Sequence, residues 1–292
     1  MSTYLFIDKD HNVLTGDRAK AAIAEAPAAE CVRDGHGTIA VSKERWETAQ
    51  AYERNTWIKE CRDAADDRNY DHCEMFERYR ALKGMVFPRA IELGCGPFTN
   101  LRLISGQCRI KACTLLDPLI REYLDHPHCA YDRQFLRAES RLSFPLCMSG
   151  LFWREGRVLR TLRRRITVEA MLAMPIEEMP IGGRYDLVVL MNVLEHCYNI
   201  DKVFQQVAAM MGQGSILVFH DKYLENGESG EAGHVYDAGH PLRPRRDAID
   251  AFLGEHFRPL YRKVGRIRHV VEGVDLSHDA LYFVGRFQGP TG

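Results

Sequence analysis

The segment over residues 90–98, AIELGCGPF, constrains the fold more than any other part of the chain. An apolar run ends here in Glu92, and two glycines follow one residue apart. We predict a short buried strand over residues 85–93 and a helix from Asn100 onward. A strand that turns sharply through glycine into a helix is how α/β proteins cradle a nucleotide-like ligand, because glycine lets the backbone approach the ligand without a Cβ in the way.

Two classes of ligand are compatible with this loop. A dinucleotide-binding loop would read G-x-G-x-x-G, but Thr99 stands where the third glycine belongs. Glu92 would repel a phosphate, whereas it suits a ligand that carries a cationic amine. S-adenosylmethionine has an ammonium and a sulfonium but no phosphate, so the loop favours it over a nicotinamide dinucleotide. A purely structural turn is the remaining interpretation.

Strands and helices alternate along the rest of the chain. A helix is predicted over residues 200–211, with Gly212 and Gly214 as its stop signal. Apolar strands are predicted over residues 112–117, 185–191, 215–219 and 278–287. This alternation implies a parallel sheet with helices on both faces. Asp117 closes the second strand, where a carboxylate is placed to accept hydrogen bonds from both hydroxyls of a ribose.

These motifs together resemble those of the class I S-adenosylmethionine-dependent methyltransferases. The matching segments are ELGCG at residues 92–96, Asp117, and YDLV from residue 185 running into NVLEH at residues 192–196. The resemblance covers residues 85–220 well and 255–287 loosely. It implies an α/β fold, with a Rossmann-like class I methyltransferase sheet and helices on both faces, and S-adenosylmethionine as cofactor. The DPL turn at residues 117–119 and the GHP turn at residues 239–241 are similar to those of a small-molecule subgroup. That subgroup is associated with bacterial carbohydrate and surface-polysaccharide pathways.

The resemblance also implies which residues contact the cofactor. They come from four segments: Glu92, Gly94, Cys95 and Gly96; Asp117 and Pro118; Glu169, Ala170 and Met171; and Asn192 and Val193. Two positions depart from the family pattern. Phe98 replaces the usual third glycine, and the loop after the third strand has no clear acid to contact adenine. Glu169 is assigned as the stand-in, and Glu177 and Glu178 compete for that role.

The residues ahead of the glycine loop are predicted to form a separate lobe. We expect residues 1–84 to be an N-terminal hairpin and helical cap, and residues 85–292 to be a methyltransferase domain with an insertion after the second strand, at about 125–166. The hairpin is predicted to have arms at 3–8 and 11–14, and a further strand is predicted at residues 37–41. Ser42 is predicted to cap the first long helix, and a second helical segment is predicted from about 70 to 83. In class I methyltransferases such helices often lie over the cofactor, so Trp46 and Tyr52 are assigned to the substrate pocket. Simple packing against the sheet is the alternative.

The insertion ends in a basic run. Its arginines are Arg154, Arg157, Arg160, Arg163, Arg164 and Arg165. Arginine forks match carboxylate and phosphate oxygens, so Arg154 is assigned to substrate binding and the substrate is expected to be anionic, such as a phosphorylated or nucleotide-linked sugar. A solvated helix face balanced by acids elsewhere is the alternative.

The overall composition argues against nucleic acid or a membrane as a binding partner. The formal net charge is −1 at pH 7, which offers no field for nucleic acid or a membrane surface. No apolar run approaches the length that spans a bilayer. The nine cysteines form no C-x-x-C pair, which predicts reduced thiols in a cytoplasm with no disulfide or zinc framework. A small-molecule substrate is the expected partner, and the oligomeric state is left open.

Methyl transfer from a sulfonium is an in-line displacement, so the enzyme mainly positions the nucleophile. A hydroxyl nucleophile also benefits from a base, and histidine suits neutral pH. The candidates are His196 and His220, which follow predicted strands, and His240 in the next long loop. Each has a purely structural role as its alternative. Glu195 lies beside the first of them and is assigned to the substrate.

No metal is predicted. His220, Asp221, His234, Asp237 and His240 cluster along the chain, but their spacing matches no compact ligand motif. The Gly- and Glu-rich loop over residues 225–239 suits a mobile lid equally well.

We therefore predict methyl transfer from S-adenosylmethionine to a small oxygen-bearing substrate, specifically a hydroxyl of a sugar or sugar-containing metabolite. N-methylation of a small amine is a second hypothesis. A non-catalytic cofactor-binding partner subunit is a third. A nicotinamide-dependent oxidoreductase is a fourth, and both Glu92 and the absent third glycine count against it.

Overall fold

The structure is a computed structural model of the 292-residue chain. The residues it describes are 4–25, 32–34, 37–63, 68–137, 165–180, 182–224, 235–268, 270–272, 274–275 and 277–289. Arg154 and most of the predicted insertion lie outside these residues, as do His234 and most of the predicted lid loop.

The described residues contain seven α-helices and fifteen strands, besides short 3₁₀ and π turns. The helices are α1 (Gly16–Glu25), α2 (Lys43–Asn55), α3 (Arg68–Met75), α4 (Leu101–Ile104), α5 (Ile120–Tyr123), α6 (Ile200–Ala209) and α7 (Arg246–His256). The strands are β1 (Leu5–Ile7), β2 (Val13–Thr15), β3 (Val32–Asp34), β4 (Gly37–Ala40), β5 (Val86–Leu93), β6 (Arg109–Leu116), β7 (Phe135–Arg137), β8 (Arg165–Leu172), β9 (Tyr185–Met191), β10 (Met211–Lys222), β11 (Val235–Asp237), β12 (Phe257–Ile267), β13 (Val270–Val271), β14 (Val274–Asp275) and β15 (His278–Phe287).

The main sheet has eight strands in the order β12-β15-β10-β9-β5-β6-β8-β7. The five central strands, from β10 to β8, are parallel to one another. The strands beyond them, β15, β12 and β7, run antiparallel to their neighbours. The chain order reverses between β9 and β5, which opens a crevice at the carboxyl ends of these strands. The predicted α/β sheet of the class I methyltransferase type is confirmed.

Alternate residues of the central strands enter two different hydrophobic clusters. Ile91 and Val188 belong to one cluster, whereas Ala90 and Leu187 belong to the other. This alternation follows from the period of two in a strand, and it shows that both faces of the sheet are covered. Strand β9, with the sequence YDLVVLM, has only Asp186 outside the buried class, as expected for a central parallel strand.

The N-terminal segment forms the predicted hairpin. β1 and β2 pair antiparallel, and Asp8 closes the turn by accepting hydrogen bonds from the N–H groups of Asp10 and Asn12. β1 also pairs in parallel with β11, far along the chain. Ser42 caps α2 as predicted, because its hydroxyl accepts from the Arg45 N–H at 3.2 Å.

Two predicted boundaries are wrong. Gly212 and Gly214 do not separate a helix from a strand; both lie inside β10, where the pairing with β9 is irregular between Met211 and Ile216. Gly214 has a φ of +87° and so supplies the irregular backbone. The second helical segment is also split, because α3 ends at Met75 and a 3₁₀ turn follows over Glu77–Leu82. Among the described residues, no helix combines the length and apolar character needed to cross a bilayer.

Candidate active site

A cavity of about 830 Å³ lies at the carboxyl ends of the central parallel strands. Its floor comes from the loops that follow β5, β6 and β9, and from the end of β10. Helix α2 and the turn after it contribute another wall. Six of the chain's 12 histidines line it: His11, His72, His196, His220, His240 and His278.

The glycine loop turns sharply from β5 into the cavity wall. The N–H groups of Gly94 and Cys95 both donate to the Leu116 carbonyl, at 2.8 and 3.1 Å. Gly94 has a φ of +68° and Gly96 a φ of +52°, which are values that L-residues rarely adopt. A Cβ on Gly94 would also lie 2.5 Å from a Val193 methyl carbon. Gly94, Cys95 and Gly96 line the cavity as assigned.

Replacing Gly94 by alanine should destabilise the protein more than replacing Gly96. Both substitutions introduce left-handed strain of about 1–2 kcal/mol. Only Gly94→Ala adds a clash with Val193, since a Cβ on Gly96 meets nothing within 4 Å, and such overpacking costs about 1–3 kcal/mol. Chemical denaturation measures the difference, and adding Val193→Ala to the Gly94→Ala variant should recover part of it. Equal destabilisation by the two glycine substitutions would contradict the geometry.

Glu92 lies behind the loop rather than in the cavity wall. Its carboxylate accepts hydrogen bonds from the Thr99 hydroxyl, from the Asn100 N–H at 2.8 Å and from the Leu101 N–H at 3.2 Å. The side chain is 1% exposed. The assignment of Glu92 to direct contact with a cofactor amine therefore needs correction, because its oxygens hold the start of α4 against the glycine loop.

Asp117 lines the cavity at the end of β6. Its carboxylate accepts from the Gly96 N–H at 3.0 Å and from the Leu119 N–H at 2.9 Å. Burial raises the pKa of Asp117 to about 6, although these two N–H groups oppose the shift. Each oxygen keeps acceptor capacity for a further donor. Pro118 lines the cavity beside it.

The residues assigned to the cofactor in the third-strand region lie away from the cavity. Glu169 points away from the cavity, with its side chain 47% exposed and 3.8 Å from Arg89. Ala170 and Met171 do not line the cavity either. The chain passes the cavity later, at Pro175, Ile176 and Glu177.

Glu177 is the acid that this region supplies. One of its carboxylate oxygens accepts from the Tyr198 and Asn199 N–H groups, at 2.7 and 3.0 Å. The other, Oε2, is buried without a hydrogen-bond partner among the described residues. Glu178 instead pairs with Lys43 at the surface.

Asn192 and Val193 follow β9 and line the cavity as assigned. The Asn192 N–H donates to the His220 carbonyl at 2.7 Å, and Asn192 has a φ of +58°. Asp221, fully buried, accepts from the N–H groups of Val193 and Leu194. Burial raises the pKa of Asp221 to about 7. Asp221 thus fixes the turn from β9 toward His196.

His196 and His240 meet across the cavity wall, with ring centroids 4.7 Å apart. His196 Nδ1 lies 3.2 Å from the Gly239 carbonyl oxygen, and His240 Nδ1 lies 2.7 Å from an Asp237 carboxylate oxygen. Since neither oxygen can donate, both Nδ1 atoms carry the proton. Each Nε2 lies 3.7 Å from Glu195 and has no partner at hydrogen-bond distance within the described part of the chain.

The two imidazoles differ in their proton affinity. Burial lowers the pKa of His196, and Glu53 offsets only part of this effect. Burial also opposes the charge on His240, but Asp237 and Glu195 outweigh it and raise the pKa of His240 to about 9.

Glu195 lies beneath this pair rather than in the cavity wall. It is 2% exposed and forms an ion pair with Lys222, which holds its pKa well below the usual value in spite of burial. The assignment of Glu195 to direct substrate contact therefore needs correction, because its carboxylate supports the histidines and Lys222.

His220 borders the cavity, but none of its side chain is accessible to solvent. Its Nδ1 donates to the Leu281 carbonyl at 2.9 Å, and its ring stacks on Tyr282 at a centroid distance of 4.3 Å. Burial lowers the pKa of His220 well below its usual value, and His72 adds to this shift. His220 is therefore neutral and enclosed, whereas His196 and His240 are the partly exposed imidazoles.

Helix α2 contributes two cavity residues that sequence analysis did not identify, Gln50 and Glu53. Trp46 and Tyr52 line the cavity as assigned, together with Glu53 and Gln50. The Trp46 indole N–H donates to the His196 carbonyl at 3.1 Å, and the buried Arg45 donates to the Ala238 carbonyl at 2.8 Å. α2 is thus tied to both histidine loops. The signal was a helical stripe at positions 46, 50, 53 and 57, all of which face the cavity.

Several solved structures of methyltransferases share a distant similarity with this chain. Among solved structures, the N-methyltransferase NodS from Bradyrhizobium japonicum WM9, in complex with S-adenosyl-L-homocysteine, is 13% identical, with a TM-score of 0.46 over 83% of this chain and 98% of that chain. The 1,6-didemethyltoxoflavin-N1-methyltransferase of Burkholderia thailandensis is 14% identical, with a TM-score of 0.48 over 88% of this chain and 97% of that chain. No curated protein matches the sequence.

The family assignment rests on a profile that covers most of the chain. The profile described as "Methyltransferase domain" matches residues 56–265 of the 292. This match includes the glycine loop, Asp117, the turn after β9 and both histidine loops. The chain therefore belongs to the methyltransferase-domain family and is an S-adenosylmethionine-dependent methyltransferase.

Proposed function

We propose that this enzyme transfers the methyl group of S-adenosylmethionine to a hydroxyl of a small, hydroxyl-rich molecule such as a sugar. The observation that carries the proposal is the pair of imidazoles, His196 and His240, whose Nε2 atoms border the cavity without a hydrogen-bond partner among the described residues. They lie on the same cavity as the glycine loop and Asp117.

The residues present fit S-adenosylmethionine. Asp117 offers a buried carboxylate for the ribose hydroxyls, and the open backbone at Gly94 and Gly96 allows close approach. Glu177 lines the cavity, and its buried Oε2 has no hydrogen-bond partner among the described residues, so a rotation of the side chain would let it accept a hydrogen bond from the amino group of adenine. We therefore assign the adenine contact to Glu177 in place of Glu169.

S-adenosylmethionine supplies a methyl group on a positively charged sulfur. Transfer forms an oxygen–carbon bond, breaks the sulfur–carbon bond and leaves a neutral thioether, while the acceptor hydroxyl loses its proton. The chain therefore has to orient the hydroxyl and lower the cost of removing its proton. His196 is placed for this task because the Gly239 carbonyl fixes its Nδ1 and its lowered pKa leaves Nε2 able to accept a proton. His240, whose pKa is raised, is placed to hold the acceptor as a hydrogen-bond donor.

The rest of the cavity favours a small polar acceptor. Its volume of about 830 Å³ lies within the usual range for small-molecule sites. Gln50, Glu53, Asn69 and Asp71 add hydrogen-bonding groups to the wall.

The seven cysteines of the described residues are all free, and we propose a reducing, cytoplasmic setting on that ground.

A screen with isotopically labelled S-adenosylmethionine tests the acceptor class. Panels of sugars, sugar phosphates, nucleotide-linked sugars and small amines are compared, and the product is located by NMR. A methyl ether is the expected product. An N-methyl product formed at higher kcat/KM than any ether would contradict the oxygen assignment.

Binding of S-adenosylhomocysteine should strengthen as the pH rises through about 6. The pKa of Asp117 in the free protein is about 6, and only the deprotonated carboxylate can accept from both ribose hydroxyls. Below that pH the affinity should fall about tenfold per pH unit, as expected for a single proton. Calorimetry between pH 5 and pH 8 measures this. The profile of Asp117→Asn should be flat, and a flat wild-type profile would argue against Asp117 as the ribose ligand.

A further inference from the structure

Glu53, His196 and His240 converge at one point of the cavity wall. One ligating atom from each lies within 4.8 Å of the other two. A transition-metal cation bound at about 2.1 Å from each ligand holds the ligands at most about 4.2 Å apart, so only a small side-chain adjustment is needed. All three residues line the cavity. We propose that they form a binding site for a divalent transition-metal cation, which binds the oxygen of the methyl acceptor.

The hydrogen bonds around the cluster orient the imidazoles as ligands. The Asp237 carboxylate holds His240 through Nδ1, and the Gly239 carbonyl holds His196 through Nδ1. Metal-binding histidines are characteristically held in this way, through the ring nitrogen that does not face the metal. His240 Nε2 is then left for a cation. Glu53 Oε1 approaches His196 on its Nδ1 side, at 3.5 Å, so the ring of His196 has to turn before its Nε2 can share a cation with Glu53. Two imidazoles and one carboxylate are also a donor set that suits zinc and neighbouring metals and leaves coordination positions open.

The charges around the cluster favour a divalent ion. Three carboxylates, Glu53, Glu195 and Asp237, lie against the two imidazoles, and Lys222 is the ammonium that pairs with Glu195. With both imidazoles bound to a cation as neutral ligands, the side chains of this group carry a formal charge of −2. A divalent cation would balance that charge within a largely buried wall.

This inference rests on the proposed function and narrows its substrate. With a cation bound, His196 and His240 would act as its ligands, and the cation would take over from them the task of making the hydroxyl easier to deprotonate. A cation held by these three residues, all of which line the cavity, could bind an acceptor hydroxyl together with an oxygen on the adjacent carbon. Coordination lowers the pKa of the hydroxyl. Its proton leaves to solvent, the oxygen forms the bond to the methyl carbon, and the sulfur keeps the electron pair of the broken bond. The cation does not change its oxidation state. The expected acceptor is therefore a vicinal diol or a similar pair of oxygens.

Titration of the full chain with Co²⁺ tests the site without relying on turnover. The protein is freed of metal by a chelator, and binding is followed by calorimetry and by the visible absorption of Co²⁺ held by nitrogen and oxygen ligands. One equivalent is expected to bind to the wild type. Glu53→Gln and His196→Ala should weaken binding at least tenfold, and Asp237→Asn should weaken it about 10- to 100-fold.

His11→Ala is the matched control. His11 also lines the cavity, and its side-chain exposure of 20% is close to the 19% of His196, but it lies outside the cluster. Its removal should leave Co²⁺ binding intact. A wild type that binds S-adenosylhomocysteine but no Co²⁺ would overturn the cation site and leave the proposed function standing. Equal Co²⁺ binding by wild type, Glu53→Gln and His196→Ala would also overturn it. Co²⁺ binding at this cluster without binding of S-adenosylhomocysteine would support the site and contradict the proposed function.

Discussion

Asp117→Asn is expected to weaken the binding of S-adenosylhomocysteine about 100-fold. The substitution keeps the side-chain size but removes the charge and turns one acceptor into a donor. Hydrogen bonds to a charged group contribute about 1.5–3 kcal/mol each, so weakening the two ribose contacts corresponds to about two orders of magnitude in Kd. Calorimetric titration measures the change.

Asp186→Asn provides the matched control for this experiment. Asp186 also accepts a backbone hydrogen bond, from the Arg89 N–H at 2.8 Å. Asp186 lies near the start of β9, whereas the cavity lies at the carboxyl end of that strand. Its substitution should leave the affinity unchanged. If both variants lost affinity equally, the effect would be a general disturbance of the sheet, and the assignment of Asp117 would fail.

His196→Ala is expected to lower kcat by about 100- to 10,000-fold, the range for loss of a group that assists proton removal. The binding of S-adenosylhomocysteine should not change, since Trp46 bonds the main-chain carbonyl of residue 196, which the substitution retains. Steady-state kinetics with the acceptor found in the screen give kcat and KM separately.

The control for His196 is His128→Ala, which removes an exposed imidazole that does not line the cavity. It should leave kcat unchanged. A His196→Ala variant that kept the full kcat would remove the histidine pair from the chemistry. Loss of affinity for S-adenosylhomocysteine in that variant would point instead to a disturbed loop after β9.

The cofactor edge of the site is the part that local sequence predicts well. Gly94, Gly96 and Asp117 each stand at the end of an apolar strand. Because parallel strands end at the same edge, their order along the chain was enough to place them together. Glu92 was also recognised, but its hydrogen bonds to the following helix depend on the path of the loop, which the spacing alone does not determine.

Sequence analysis was less successful where the result depends on the direction in which a side chain points, or on contacts between segments far apart in the chain. Glu169 lies inside β8, the third parallel strand along the chain. A shift of one residue along a strand moves a side chain to the opposite face of the sheet. The Glu169 side chain lies on the outer face, next to Arg89. Glu53 and the His196–His240 pair come from three separate parts of the chain. The packing of α2 through Arg45 and Trp46, and the hydrogen bond from the Leu242 N–H to the Glu195 carbonyl, bring them together. These contacts join segments that are far apart in the chain.

The most direct test of the central claim is calorimetric titration of the wild-type chain with S-adenosylmethionine and S-adenosylhomocysteine, with NAD as the comparison ligand. One equivalent of each sulfur ligand should bind with a micromolar Kd, and NAD should not bind. Binding of NAD instead, or of none of the three, would contradict the assignment of this cavity to S-adenosylmethionine.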